Sequence, residues 1–184
     1  MIFSNFIYIN LDGLVPGLSD TNFQEFGRDM EIRDVLKREN FSSMFKGTTL
    51  PESFEKFVYE LAASKRFRNV KIKNFVNIND RSIEKQFAAI TFILNDEYSY
   101  IAFRGTDDTF NGWKEDFNMA FKCPVPSQEE ALRYVQNVYG SLTSKIYLGG
   151  HSKGGNIAVY TLVKSDEDIQ NRIENAFSHD GPRF

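Results

Sequence analysis

The chain has 184 residues, 41% of them hydrophobic and 15% aromatic, with a formal net charge of −3. That is enough for one domain with one sizeable core, and it excludes an intrinsically disordered chain. The absence of a basic surplus excludes a typical nucleic-acid-binding domain.

Other features narrow the class further. A single cysteine, Cys123, permits no internal disulfide and fits a reducing, cytoplasmic setting. With only two histidines, His151 and His179, no zinc site is expected, and no other cofactor is implied. Cys123 itself reads as a half-buried structural thiol rather than a nucleophile. The opening Met1–Leu14 is apolar, but it lacks a basic start and is interrupted by Asn5, Asn10 and Asp12, so it is not read as a signal peptide. No apolar run reaches membrane-spanning length.

In chain order, residues 1–10 suggest the end of a helix or a short apolar strand, followed by turns at Asp12-Gly13 and Pro16-Gly17. Residues 18–48 have no clear period, although Arg28–Lys37 suggests a short helix. Pro51 opens a helix whose apolar face is Phe54, Phe57, Val58, Leu61 and Ala62. The basic stretch Lys65–Lys73 reads as a solvated helix end leading to an edge strand, with Val70–Val76 alternating. Gln86–Asn95 and Tyr98–Arg104 are strands joined by a hairpin at Asn95-Asp96-Glu97.

A helix then starts at Pro126-Ser127, and Ser127 with Glu130 matches a capping box. Its apolar face is Ala131, Tyr134, Val135, Val138 and Tyr139. Lys145–Leu148 is a short buried strand, Asn156–Val163 a helix, and Ala176–Ser178 a last strand after a short helix. Strands alternating with helices predict an α/β fold with a mostly parallel sheet covered by helices on both faces.

Gly150-His151-Ser152-Lys153-Gly154 fits the pattern G-x-S-x-G. Chance alone gives such a match in roughly one chain in twenty at ordinary Gly and Ser usage. Here an apolar strand precedes it and a helix pattern follows it, as a nucleophile elbow requires. Ser152 would sit in a strained turn. Gly150 and Gly154 would leave room for it, and the N–H of Lys153 would face an oxyanion from the start of the helix. The competing reading is a tight glycine-rich turn without chemistry.

The second signal is Ile101-Ala102-Phe103-Arg104-Gly105-Thr106-Asp107, followed by Trp113 and Asp116. Together with the elbow some fifty residues later, it resembles class 3 lipases, and more closely a bacterial branch of lipase-like α/β-hydrolases. In that branch Gly-His-Ser-Lys-Gly-Gly-Asn and a later Asp-Gly-Pro are typical. The resemblance covers residues 83–184 well and the N-terminal part loosely. It implies an α/β-hydrolase fold, Thr106 as the second oxyanion donor, and a loop or lid over residues 107–122 with Trp113 as its anchor or as a core residue. It also implies that Arg104 and Asp116 form a structural ion pair.

A serine hydrolase needs a base and an orienting acid, in chain order Ser, acid, His. His151 lies inside the elbow and should point away from the Ser152 hydroxyl. His179 ends the next strand, where the fold offers an acid. Asp180 is the candidate acid, or a turn-forming Asp before Gly-Pro. The expectation is therefore a single but incomplete domain over residues 1–184, stopping short of its histidine, with an open sheet edge at Ala176–Ser178 able to associate. The function expected is cleavage of a small-molecule or lipid ester, with transient contact to a lipid surface. The alternatives are a non-catalytic binding module that keeps the fold, and a thioesterase or acyltransferase on the same elbow.

Overall fold

Two strands with strict inside–outside alternation set the architecture. In the computed structural model, which describes residues 1–18, 30–36, 38–45, 48, 50–107 and 109–182, these are β3 (Lys85–Ile93) and β4 (Tyr98–Phe103). Ala88, Ile90, Phe92, Tyr100 and Ala102 point to one face of the sheet, while Phe87, Ala89, Ile101 and Phe103 point to the other. Each face therefore requires a cover, because successive side chains on a strand alternate.

The first face is covered by the N-terminal helix α1 (Ile2–Phe6) with the segment after it, and by α3 (Pro51–Ala63), which contributes Val58 and Leu61. The second face is covered by α5 (Pro126–Tyr139), α6 (Lys153–Lys164) and α7 (Glu167–Gln170). The remaining helices are α2 (Phe41–Met44) and α4 (Phe110–Asn118).

The sheet has six strands in chain order: β1 (Met30–Glu31), β2 (Lys71–Asp80), β3, β4, β5 (Lys145–His151) and β6 (Ile173–His179). The expectation of a mostly parallel sheet is corrected. The β1–β2, β2–β3 and β3–β4 pairs are antiparallel, and only β4–β5 and β5–β6 are parallel. Connection length explains the division. Residues 81–84 and 94–97 are too short to do anything but reverse the chain, whereas α4–α5 and α6–α7 are long enough for parallel crossovers. In the hairpin, the Asn95 side chain accepts from the N–H groups of Glu97 and Tyr98.

β5 lies between two parallel neighbours, as its apolar run predicts, and β6 is an outer strand with mostly exposed residues. β2 is bordered by β1 over its first two residues and, further along, by a bridge between Gly17 and Phe75, so the expected edge strand lies one place inside the sheet. The helix expected over Arg28–Lys37 is not formed where it is described. Residues 30–31 pair with β2, and Ile32–Val35 make one 3-10 turn that buries Ile32 and Val35 against the first core. Residues 28, 29 and 37 lie outside the described residues.

The α5 cap also differs from expectation. Its N-cap is Val125, and the Gln128 side chain accepts from the Val125 N–H. Pro126 starts the helix, so Ser127 lies within the first turn and Glu130 turns away to pair with Lys85 and Arg133. No described helix is long and apolar enough to cross a membrane.

Candidate active site

β5 ends at His151 and α6 begins at Lys153, so Ser152 alone makes the strand-to-helix turn. It does so at φ 54° and ψ −128°, a region where a residue with a side chain is strained by about 1–3 kcal/mol. The turn is held by the Ser152 N–H donating to the His179 carbonyl at 2.8 Å and the Gly155 N–H donating to the Ser152 carbonyl at 2.9 Å.

The glycine spacing has a direct steric cause. A Cβ on Gly150 would stand 2.3 Å from the Gly154 carbonyl carbon, and one on Gly154 would stand 2.2 Å from the Phe103 oxygen. Gly150, Gly154 and the end of β4 therefore touch through backbone alone. Ser152 is half-buried, and no described residue is hydrogen-bonded to its hydroxyl.

The turn after β4 packs against this elbow. A Cβ on Gly105 would lie 2.6 Å from the His151 carbonyl oxygen and 3.3 Å from Ser152 Cβ. Thr106 follows directly and lines the same cleft as His151. Its Oγ1 is buried and has no hydrogen-bond partner among the described residues. The two sequence signals, 46 positions apart by number from Thr106 to Ser152, thus meet at one end of the sheet.

Tyr8 was not foreseen. Its hydroxyl is 3.0 Å from His151 Nδ1 and packs against Gly105, where an added Cβ would meet it. Burial pushes its phenol pKa up to about 12, against the opposing pull of Arg104. The N-terminal segment therefore forms one wall of the site, reaching His151 across 143 positions of sequence. No local pattern could have signalled it.

Lys153 has a second role that its position in the pattern did not reveal. Its side chain is fully buried and its ammonium donates to the Gln86 carbonyl at 2.6 Å, Gln86 Oε1 at 2.7 Å and Glu115 Oε2 at 2.8 Å. Three donors meet three acceptors, which satisfies the ammonium completely. Glu115 also accepts from the N–H groups of Gln86 and Ser127. Burial pulls the Lys153 pKa below the ordinary lysine range, and the Glu115 carboxylate opposes it. The network joins β3, α4, the start of α5 and the elbow.

The expected Arg104–Asp116 pair is not formed. Arg104 Nη2 donates to Asn77 Oδ1 at 2.9 Å and meets Asp107 at 3.4 Å. The inward side of α4 belongs to Asn111 and Glu115, four positions apart, and Asp116 is turned about 100° from Glu115. Trp113 is 63% exposed, so it is not a core residue. The expected loop over 107–122 is largely helical, anchored by Glu115 and Asn111. Phe110, Trp113, Phe117 and Phe121 are exposed along it. Residue 108 lies outside the described residues.

Asp180 is exposed in a left-handed turn at φ 53°. The loop after it is tied back by Asn156, whose amide donates to the Pro182 carbonyl at 3.0 Å. This bond physically links the Gly-Gly-Asn and Asp-Gly-Pro stretches. The His179 ring stacks on Phe177, and its Nε2 is buried without a partner among the described residues. Its pKa is lowered by burial, then by the N-terminal amine and His151. Cys123 is exposed, not half-buried as expected, because it lies beyond the end of α4, outside both cores. Among the described residues no cluster of side chains could hold a metal ion.

The fold and site define an α/β protein with a six-stranded mixed sheet and a strained serine at the strand-to-helix turn of a parallel strand. The chain belongs to the Mbeg1-like family, whose model matches residues 61–184. No curated protein and no solved structure matches it.

Proposed function

We propose that this chain is a serine hydrolase of carboxylic esters, built on an α/β-hydrolase-like core formed by β3–β6 with α5 and α6. The observation that carries the reading is the strained Ser152 turn with the Gly105–Thr106 backbone packed against it. A serine held at positive φ persists only where its surroundings over-determine it, and such strain concentrates at functional sites.

In this reading Ser152 Oγ adds to the ester carbonyl carbon as its proton passes to a base. The negative charge developing on the carbonyl oxygen is met by the N–H groups of Thr106 and Lys153, with the Thr106 hydroxyl as a third donor. The C–O bond to the alcohol then breaks, and the alcohol leaves with a proton. Water hydrolyses the acyl-serine ester, releasing the acid and restoring the hydroxyl. The α6 dipole favours negative charge at the same end of the helix. Asp180 is the acid candidate at the end of β6. The exposed aromatic stripe of α4 supports contact with a lipid surface, and the outer strand β6 supports association through its edge.

The second reading is a binding module that keeps the fold. It is favoured by one observation: no described base is bonded to the Ser152 hydroxyl. A hydroxyl without its base is a poor nucleophile. Hydrolysis of p-nitrophenyl acetate by the wild type and by Ser152→Ala separates the two. Turnover lost in Ser152→Ala supports the hydrolase; identical rates in both proteins support the binding module. Comparing an oxygen ester with its thioester, each with and without an added alcohol acceptor, separates hydrolase from thioesterase and acyltransferase.

A further inference from the structure

A cleft of about 610 Å³ opens beside the elbow, lined by the N-terminal wall, the start of α3, the end of β2 and the turn after β4. That volume lies within the range of small-molecule sites, about 300–1,000 Å³. Its lining mixes carbon surface with polar groups. Four carboxamides, Asn5, Asn10, Asn77 and Asn79, line it together with Tyr8 and Thr106, although Asn77 is already bonded to Asp12 and Arg104 and the Tyr8 hydroxyl to His151. Only Leu50 and Phe54 contribute purely apolar side chains, and Phe54 sits 6.1 Å from the Tyr8 ring, centroid to centroid.

The charges cancel within this lining. Arg104, buried and lining the cleft, faces Asp107, which also lines it, so neither an anion nor a cation is specifically favoured. Two buried polar atoms, Arg104 Nε and Thr106 Oγ1, have no hydrogen-bond partner among the described residues. An alkyl chain entering here would strip water from the Asn5, Asn10 and Asn79 amides and return no hydrogen bonds, which opposes its binding. A ligand bearing several hydroxyls would pair with them, each hydroxyl both donating and accepting. The Phe54 and Tyr8 rings would cover its carbon face.

We propose that the cleft binds a neutral, polyhydroxylated ester: a short acyl group on a polyol or sugar, not a long fatty acyl chain. The assignment deepens the ester-hydrolase reading and rests on it for the acyl group. The hydroxyl-rich part is assigned by the cleft lining alone. A site built to hydrogen-bond substrate hydroxyls discriminates strongly against an analogue lacking them, because its own polar groups are then left unpaired.

The test is a backbone amide chemical-shift titration of the full chain carrying Ser152→Ala, with 6-O-acetylglucose, glycerol monoacetate and butyl acetate as probes. Saturable shifts at Asn77, Asn79 and Thr106 are expected with both polyol esters, and at least about tenfold weaker binding of butyl acetate. Asn5→Leu, added to that background, should weaken the polyol esters at least several-fold, with the spectrum otherwise unchanged. Asn5 is suited to this because it lines the cleft from the last turn of α1, where its carbonyl rather than its side chain accepts the capping N–H of Ile7.

Butyl acetate binding as tightly as the polyol esters would overturn the inference. So would polyol shifts mapping elsewhere, or no binding of either polyol ester. Ser152→Ala cannot form an acyl-serine, so the binding result stands whichever way the hydrolysis test falls.

Discussion

Replacing Lys153 with Met removes an ammonium that is fully buried and keeps most of the side-chain volume. The structure fixes what is left behind: the Gln86 carbonyl, Gln86 Oε1 and Glu115 Oε2 lose donors at 2.6, 2.7 and 2.8 Å. Glu115 retains two backbone N–H donors, from Gln86 at 2.9 Å and Ser127 at 2.8 Å, but no counter-charge. Breaking one side of a buried ion pair costs about 3–5 kcal/mol, because an uncompensated charge stays behind. For a domain of this size that corresponds to a fall in Tm of about 6–20 °C.

The pair should behave differently when both charges go. Lys153→Met with Glu115→Leu removes the orphaned carboxylate but leaves the Gln86 and Ser127 N–H groups without their acceptor, so the double variant should be destabilised by less than the sum of the singles, without returning to wild type. Urea unfolding of the wild type, both single variants and the double variant completes the cycle. The reasoning is refuted if Lys153→Met lies within about 0.5 kcal/mol of the wild type. It is also refuted if the double variant is as destabilised as the sum of the singles.

Three further outcomes follow from the site. Gly154→Val should abolish soluble folding, since its Cβ would fall 2.2 Å from the Phe103 carbonyl oxygen; a well-dispersed amide spectrum of this variant would show that the glycine spacing is accidental. Thr106→Val should leave stability within about 0.5 kcal/mol or raise it, because Oγ1 has no partner to lose among the described residues, yet slow ester turnover by at least about tenfold if the hydroxyl serves the oxyanion; unchanged turnover would confine Thr106 to its N–H. Burial holds the folded His179 pKa below 6.5, so the unfolded chain takes up its proton first as pH falls. The stability His179 contributes is therefore present above about pH 6.5 and declines below it, and His179→Gln should flatten that decline in urea midpoints measured across pH 5–7.5; identical slopes would refute it.

Much of the elbow could be read from sequence because its determinants are local. A strand, two glycines at fixed spacing and a helix suffice to dictate the turn at Ser152, and the steric contacts of Gly150 and Gly154 are the reason. The strands of the second core were legible from their alternation. The reversal between β3 and β4 was legible too, as a hairpin at Asn95-Asp96-Glu97; the one at 81–84 was not, because the helices later in the chain suggested a mostly parallel sheet.

Long-range polar contacts were the least legible. Tyr8 reaches His151 from the far end of the chain. Lys153 looks like a surface lysine until its partner Glu115 is brought beneath it by α4. The helix-facing rule also explains why the neighbouring Asp116 was the wrong partner for Arg104, which turns to Asp107 and Asn77 instead. At α5, the capping pattern pointed to Ser127, but Pro126 moved the cap to Val125.

The central claim is that Ser152 is an acyl-accepting nucleophile. Its most direct test is prolonged exposure of the folded chain to a fluorophosphonate, followed by peptide mass spectrometry. The account predicts a single phosphonyl adduct on Ser152, absent from Ser152→Ala and formed slowly, since no described base is bonded to the hydroxyl. A folded protein that remains unlabelled at Ser152, or that labels equally in Ser152→Ala, would contradict it.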